Sequence, residues 1–246
     1  MHIELIGSTS AGKTTLAKKM VEAGRISGIY ISLSDDFMLE QLHFGWVRND
    51  FIRRRLVEVA AFAICLTRLA KYDEFLRFVV REGKSHPGSW FYKTNRIRNV
   101  IRKIGIFEFI SLRRGPRQVV LADNEGILQG VHNLFVHPNS QADLHKIAAY
   151  VELVPMPDAV LYLQQEEEIL ISRTLGRGHA RVAGNTPGEV AHFIRQAVAV
   201  FDELISAPKV QERLLIVDDG LNIRHEAHDS SDVNFHRVTE LVRQGG

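Results

Sequence analysis

Residues 7–15 read Gly7-Ser8-Thr9-Ser10-Ala11-Gly12-Lys13-Thr14-Thr15, a full match to G-x-x-x-x-G-K-[ST]. The apolar run His2 to Ile6 before it is a short strand candidate, and Thr14 to Val21 opens a helix. A strand, a glycine-bearing loop and a helix start in that order place consecutive backbone N–H groups and a helix N-terminus around an anion. Gly7 and Gly12 permit backbone conformations and close approaches that a Cβ forbids. Lys13 then sets a point charge against the terminal phosphates, and the Thr14 hydroxyl is a hard oxygen ligand for Mg²⁺. The motif predicts a nucleoside triphosphate held by residues 7–15.

The 246 residues suffice for one α/β domain spanning 1–246, with 45% hydrophobic and 24% charged residues, close to globular averages. The single cysteine, Cys65, excludes an internal disulfide; its apolar surroundings predict a buried thiol. No basic, apolar leader precedes the first strand, and the run Val59 to Leu66 is too short to span a bilayer, so a cytoplasmic protein is expected.

Net charge is +2, but it is unevenly spread. From Arg48 to Arg117 there are 17 Lys/Arg against 6 Asp/Glu. Such a segment marks either an anionic partner, nucleic acid included, or a set of solvated helix faces. Trp90, Phe91 and Tyr92 lie inside it, as base-stacking rings or as core.

Apolar runs alternate with helical patterns. Strands are predicted at 2–6, 28–34, 118–123, 158–163 and 213–218, with a closing helix at 232–244. Residues 38–112 read as mostly helical, with Leu56, Val59, Ala60, Ala63, Leu66 and Leu69 forming an apolar stripe. The expected architecture is a three-layer α/β fold: a doubly wound, mainly five-stranded parallel sheet carrying a basic helical insertion at about 40–117. The strands' C-terminal ends should carry the site.

The residues at those ends narrow the chemistry. Asp123 closes an apolar strand, the position for a carboxylate that holds Mg²⁺ through water. Glu125, two residues on, could orient an acceptor. Asp35 and Asp36 end strand two, expected beside the phosphate loop; one could accept a proton from an attacking hydroxyl while the other caps a helix. Arg173, Arg177 and Arg181 follow an acidic-started helix and occupy a glycine-containing segment, about 173–185, read as a lid that closes over transferring phosphates. Arg53 and Arg54 are the arginines available to an acceptor phosphate.

The loop at 7–15, the strand-end Asp123 and the arginines at 173–181 resemble the P-loop nucleoside and nucleotide kinases, with most likeness to the thymidylate-kinase and deoxynucleoside-kinase group. The resemblance implies ATP and Mg²⁺ as cofactors, Lys13 as the phosphate lysine, Thr14 as a Mg²⁺ ligand and Arg173, Arg177 and Arg181 as lid arginines. It does not extend to residues 40–117. Thymidylate kinases carry Asp-Arg after the third strand, where this chain has Asp123-Asn124-Glu125; Ser34-Asp35-Asp36-Phe37 is closer to small-molecule kinases with a hydroxyl acceptor. No Asn/Thr-Lys-x-Asp guanine motif and no Leu-Ser-Gly-Gly signature are present. His225-Glu-Ala-His228 lacks the His-Glu-x-x-His spacing of a zinc site. Two readings follow: a phosphotransferase acting on a nucleoside- or sugar-like hydroxyl, with a nucleoside monophosphate or a base in nucleic acid as other acceptors, and a nucleotide-dependent nucleic-acid-binding ATPase.

Overall fold

The structure is a computed structural model that describes residues 1–26, 28–85, 89–123, 126–137, 141–179, 181–182, 184–218 and 223–225. Five parallel strands run β1 (His2–Ile6), β2 (Ile31–Leu33), β3 (Val119–Ala122), β4 (Ala159–Leu163) and β5 (Leu214–Val217). The sheet order is β2-β3-β1-β4-β5, extended by a short β6 (Ile223–His225) antiparallel to β5. Runs such as Val119-Val-Leu-Ala122 are buried throughout, as strands covered on both faces must be. The period of two sends Val120 into a core with Phe37, Val57, Ala61, Ile106 and Phe109, while Val119 and Leu121 join the main core.

The helices are α1 (Lys13–Ile26), α2 (Ser34–Gln41), α3 (Asp50–Thr67), α4 (Asp73–Ser85), α5 (Trp90–Arg113), α6 (Gly130–Phe135), α7 (His145–Leu153), α8 (Glu167–Arg177), α9 (Pro187–Ser206) and the single turn α10 (Pro208–Gln211). The expected α/β architecture and the helical insertion are present. β6 was not expected, because three residues carry no periodic signal. The closing helix expected at 232–244 and Glu125 lie outside the described residues.

One reading of the insertion needs correction, and one left open is decided. α3 buries Val57, Ala61 and Cys65, whereas Val59, Leu66 and Leu69 of the predicted stripe are exposed. The choice follows from α5, where Gly105 meets the Ala61 carbonyl so closely that any Cβ would collide with it. Cys65 is buried as expected, and burial raises its thiol pKa. Trp90, Phe91 and Tyr92 are not core; all three are exposed at the start of α5.

α3 and α5 run parallel, since Glu58 pairs with Arg98, Ala61 abuts Gly105 and Lys71 reaches Glu108. α5 descends along the sheet. Arg102 meets Asp35 beyond the C-terminal end of β2, whereas Arg114 meets Asp158 just before β4. The N-terminal ends of both helices therefore stand at the strand edge that carries the phosphate loop.

Candidate functional site

The loop after β1 follows the shape the sequence requires. Gly7 has φ 143, and a Cβ there would stand 2.9 Å from the Leu163 carbonyl oxygen at the end of β4. Ser10, at φ 66, forms the loop's tip. Lys13 opens α1, and its ammonium turns back to donate to the carbonyls of Gly7 at 2.8 Å and Ser8 at 2.9 Å. Burial pulls its pKa down to about 7, with Asp123 opposing and Lys103 and Arg177 assisting that shift.

Thr14 and Asp123 meet. The Thr14 hydroxyl donates to Asp123 Oδ2 at 3.1 Å, joining the start of α1 to the residue just past β3. Among the described residues no three His, Cys, Asp or Glu side chains gather to hold a metal. The hard oxygens of Thr14 and Asp123 are the groups that would hold a Mg²⁺, directly or through water.

Three features of the loop's setting had no readable signal in the sequence. Glu4, in the middle of β1, is fully buried, and the backbone N–H groups of Gln129, Leu128 and Ile127 point at its carboxyl, that of Gln129 at 2.7 Å. Burial raises the Glu4 pKa to about 7. Gly126 is obligatory beside it, because a Cβ would fall 2.1 Å from the Glu4 carboxyl carbon. Gln129 then brackets the loop: Gly7 N–H donates to its Oε1 and its Nε2 donates to the Gly7 carbonyl, both at 3.2 Å.

His132 is the third. Its ring is buried between Phe193 and Phe201 and, for that reason above all, titrates well below the ordinary histidine range. The guanidinium of Arg181 stands 3.3 Å from His132 Nδ1 and can only donate, so Nε2 carries the proton and faces Thr9 Oγ1 at 3.4 Å.

The arginines divide. Arg173 and Arg177 lie on α8, not on a glycine loop. Arg173 donates to the Ser10 carbonyl at 3.5 Å and to Gln165 Oε1 at 3.2 Å, and Thr174 Oγ1 donates to Ser10 Oγ at 3.0 Å. Arg177 lines the cleft on both sides of the loop. Arg181 is anchored, donating to the His132 carbonyl at 3.1 Å and to the Asn133 side chain. Burial lowers its pKa to about 10. The lid reading is corrected to this extent: two of its three arginines are helical and the third is held against α6.

Asp35 and Asp36 also move. β2 stops at Leu33, and both carboxylates fall in the first turn of α2, where a helix N-terminus favours negative charge. β3 separates β2 from β1, so they are not beside the phosphate loop but two strands away, roughly 10 Å across the sheet. Asp35 accepts from Arg102 at 3.2 Å. Asp36 is paired with Arg53 and lines a separate groove with Tyr30 and Glu40. Arg53 also donates to the Val47 carbonyl at 2.9 Å, while Arg54 is exposed on α3.

Two clefts share the loop. One, of about 480 Å³, is bounded by Thr15, Lys19, Leu163, Gln165, Arg173 and Asp218. The other, of about 560 Å³, reaches Lys13, Gln129, His132, Arg177, His179 and Arg181. Among the described residues no Asp or Glu lines the second cleft; Asp123 reaches its edge through Thr14, and Lys13, Arg177 and Arg181 leave positive charge in surplus.

No protein-family model matches the chain, and no curated protein matches it. Similar solved structures include deoxyadenosine kinase from M. mycoides with bound dATP, at 12% identity and TM-score 0.42 over 100% of both chains. The same enzyme with products dCMP and a flexible dCDP bound gives 15% identity and TM-score 0.43, over 90% of this chain and 92% of that one. With bound dCTP the values are 12% and 0.39, over 90% and 92%. A likeness this distant assigns no residue a role.

Proposed function

We propose that the chain is an ATP- and Mg²⁺-dependent phosphotransferase that moves the γ-phosphoryl group to a hydroxyl of a nucleoside- or sugar-like acceptor. The observation that carries this reading is the Thr14–Asp123 contact at 3.1 Å, an oxygen pair suited to Mg²⁺ near Lys13, at the mouth of a cleft whose charged lining is Lys13, Arg177 and Arg181. Residues 7–15 bind the triphosphate, and a bound Mg²⁺ offsets charge between its phosphates. Arg173 and Arg177 approach the loop tip from α8 and stabilise charge on the transferring group.

Asp35 is the acceptor's base in this reading and Asp36 is structural. Asp35 contacts α5, whose next residue Lys103 donates to the Gly126 carbonyl in the loop after Asp123, whereas Asp36 lines a groove on the outer side of β2. Engagement of Arg53 by Asp36 and the Val47 carbonyl supports a hydroxyl acceptor over a phosphate one, because the fork a monophosphate needs is already occupied. ADP release measured against nucleosides, nucleoside monophosphates, sugars and nucleic acid tests the proposal; no acceptor-dependent ADP release with any of them would refute it.

A further inference from the structure

Parallel packing of α3 and α5 brings Phe51 and Ile52 level with the first turns of α5. At this end four aromatic side chains, Phe51, Trp90, Phe91 and Tyr92, are each more than half exposed, up to 76%. Natural surfaces seldom leave such a group in water without a partner. Successive residues on a helix point about 100° apart, so Trp90, Phe91 and Tyr92 radiate from the helix end. No flat protein face or row of stacked bases covers three rings so disposed, whereas immersion in an apolar layer does.

The surrounding charge names the layer. Arg48, Arg54, Arg55, Lys84 and Arg98 are exposed towards this end; Glu58 is shared by Arg55 and Arg98, and with the exposed Asp50 it leaves the cations in surplus. Tryptophan and tyrosine flanked by arginine and lysine match the headgroup zone of an anionic bilayer. Among the described residues no helix is long and apolar enough to cross a membrane, so the contact is peripheral.

We propose that this end of the molecule seats in the interfacial layer of an anionic bilayer, and that the acceptor hydroxyl belongs to a lipid-linked saccharide presented there. The second half rests on the phosphotransferase reading; the first does not. Trp90 lies twelve residues before Arg102, the partner of Asp35, about 18 Å along the helix. Insertion of about 5–10 Å leaves a gap that a saccharide headgroup bridges. In the step itself the acceptor oxygen bonds to the γ-phosphorus as that phosphorus separates from the β–γ bridging oxygen. ADP leaves, and the hydroxyl proton passes to Asp35.

The test is sedimentation of the full chain with vesicles of phosphatidylcholine alone or mixed with phosphatidylglycerol. Expected are binding to the mixture only, a blue shift of tryptophan emission, a loss of roughly tenfold or more in Trp90→Ser/Phe91→Ser/Tyr92→Ser, and about fivefold in Arg48→Ala. Both variants should keep the parent's melting temperature and its stabilisation by ATP. Equal binding without phosphatidylglycerol, or unchanged binding of the triple variant, overturns the proposal. So do a single-stranded oligonucleotide bound in place of vesicles and a solution dimer that the triple variant dissociates. For the second half, the triple variant should lose kcat/KM on a vesicle-borne saccharide lipid and keep it on the free saccharide; equal loss on both overturns it. Vesicle binding without any ATP-dependent transfer would sink the kinase reading and leave the membrane surface standing.

Discussion

Glu4→Gln probes the buried clasp beneath the phosphate loop. The side chain is fully buried on β1, and desolvation lifts its pKa from an ordinary 4.5 to about 7. A carboxyl whose folded pKa is raised favours the native state below the unfolded pKa, and that contribution is lost as pH rises through the folded one. At about 1.4 kcal/mol per pH unit, the loss between pH 4.5 and 7 amounts to about 3 kcal/mol. His2, buried and lowered to about 3, contributes the opposite slope below pH 6.5, so the parent's own profile is partly flattened. The difference between variant and parent removes that contribution. Glutamine keeps an acceptor for the Gln129 N–H and cannot ionise. Urea unfolding of both proteins at intervals from pH 4.5 to 8 should show the variant gaining on the parent by about 3 kcal/mol across the range, whatever the offset at pH 4.5. A stability difference that stays constant with pH would refute the buried-carboxylate argument.

Lys13→Ala should lower turnover on the order of a hundredfold or more at unchanged circular dichroism, and Thr14→Ala should weaken Mg²⁺-dependent nucleotide binding; wild-type turnover in a coupled ADP assay for Lys13→Ala would sink the loop's role. Arg177→Ala should reduce kcat more than ATP affinity, whereas Arg181→Ala, which removes a buried anchor from His132 and Asn133, should lower the melting temperature as well; calorimetry and kinetics together separate the two. Asp35→Asn should cut transfer on the order of a hundredfold with ATP binding retained, and Asp36→Asn should cost under about 1 kcal/mol of stability and little activity. Normal transfer in Asp35→Asn, alongside collapse in Arg53→Ala, would point instead to a phosphate acceptor. Gly126→Ala should destabilise by about 2 kcal/mol through the clash with Glu4, with Glu4→Ala restoring most of it in denaturant melts.

The parts of the site that lie on one short stretch of chain were readable from the sequence. Gly7 to Thr15 declares its conformation through glycine spacing, and Asp123 declares itself by ending an apolar run. The five parallel strands were also readable, since each is a short apolar block, whereas the antiparallel β6 was not. What was not readable depends on juxtaposition. Nothing local distinguishes Glu4 from a solvent-facing strand residue, and only Gly126 and the N–H groups of 127–129 make its burial tolerable. Arg181 has the spacing of a lid arginine, but Asn133 and His132 claim it from another element. The α3 stripe failed for the same reason: which face is buried was set by Gly105, more than forty residues away.

The inward turn of Lys13 has a practical consequence. Its ammonium is tied to the carbonyls of Gly7 and Ser8 in the same loop, so the loop braces itself as a standing anion receptor. Small oxyanions such as sulfate or inorganic phosphate then need displace little to occupy it. Preparations in phosphate buffer should accordingly look more heat-resistant and less active than the same protein in a buffer of bulky zwitterions, and assays read in the two will disagree on KM before any residue is changed.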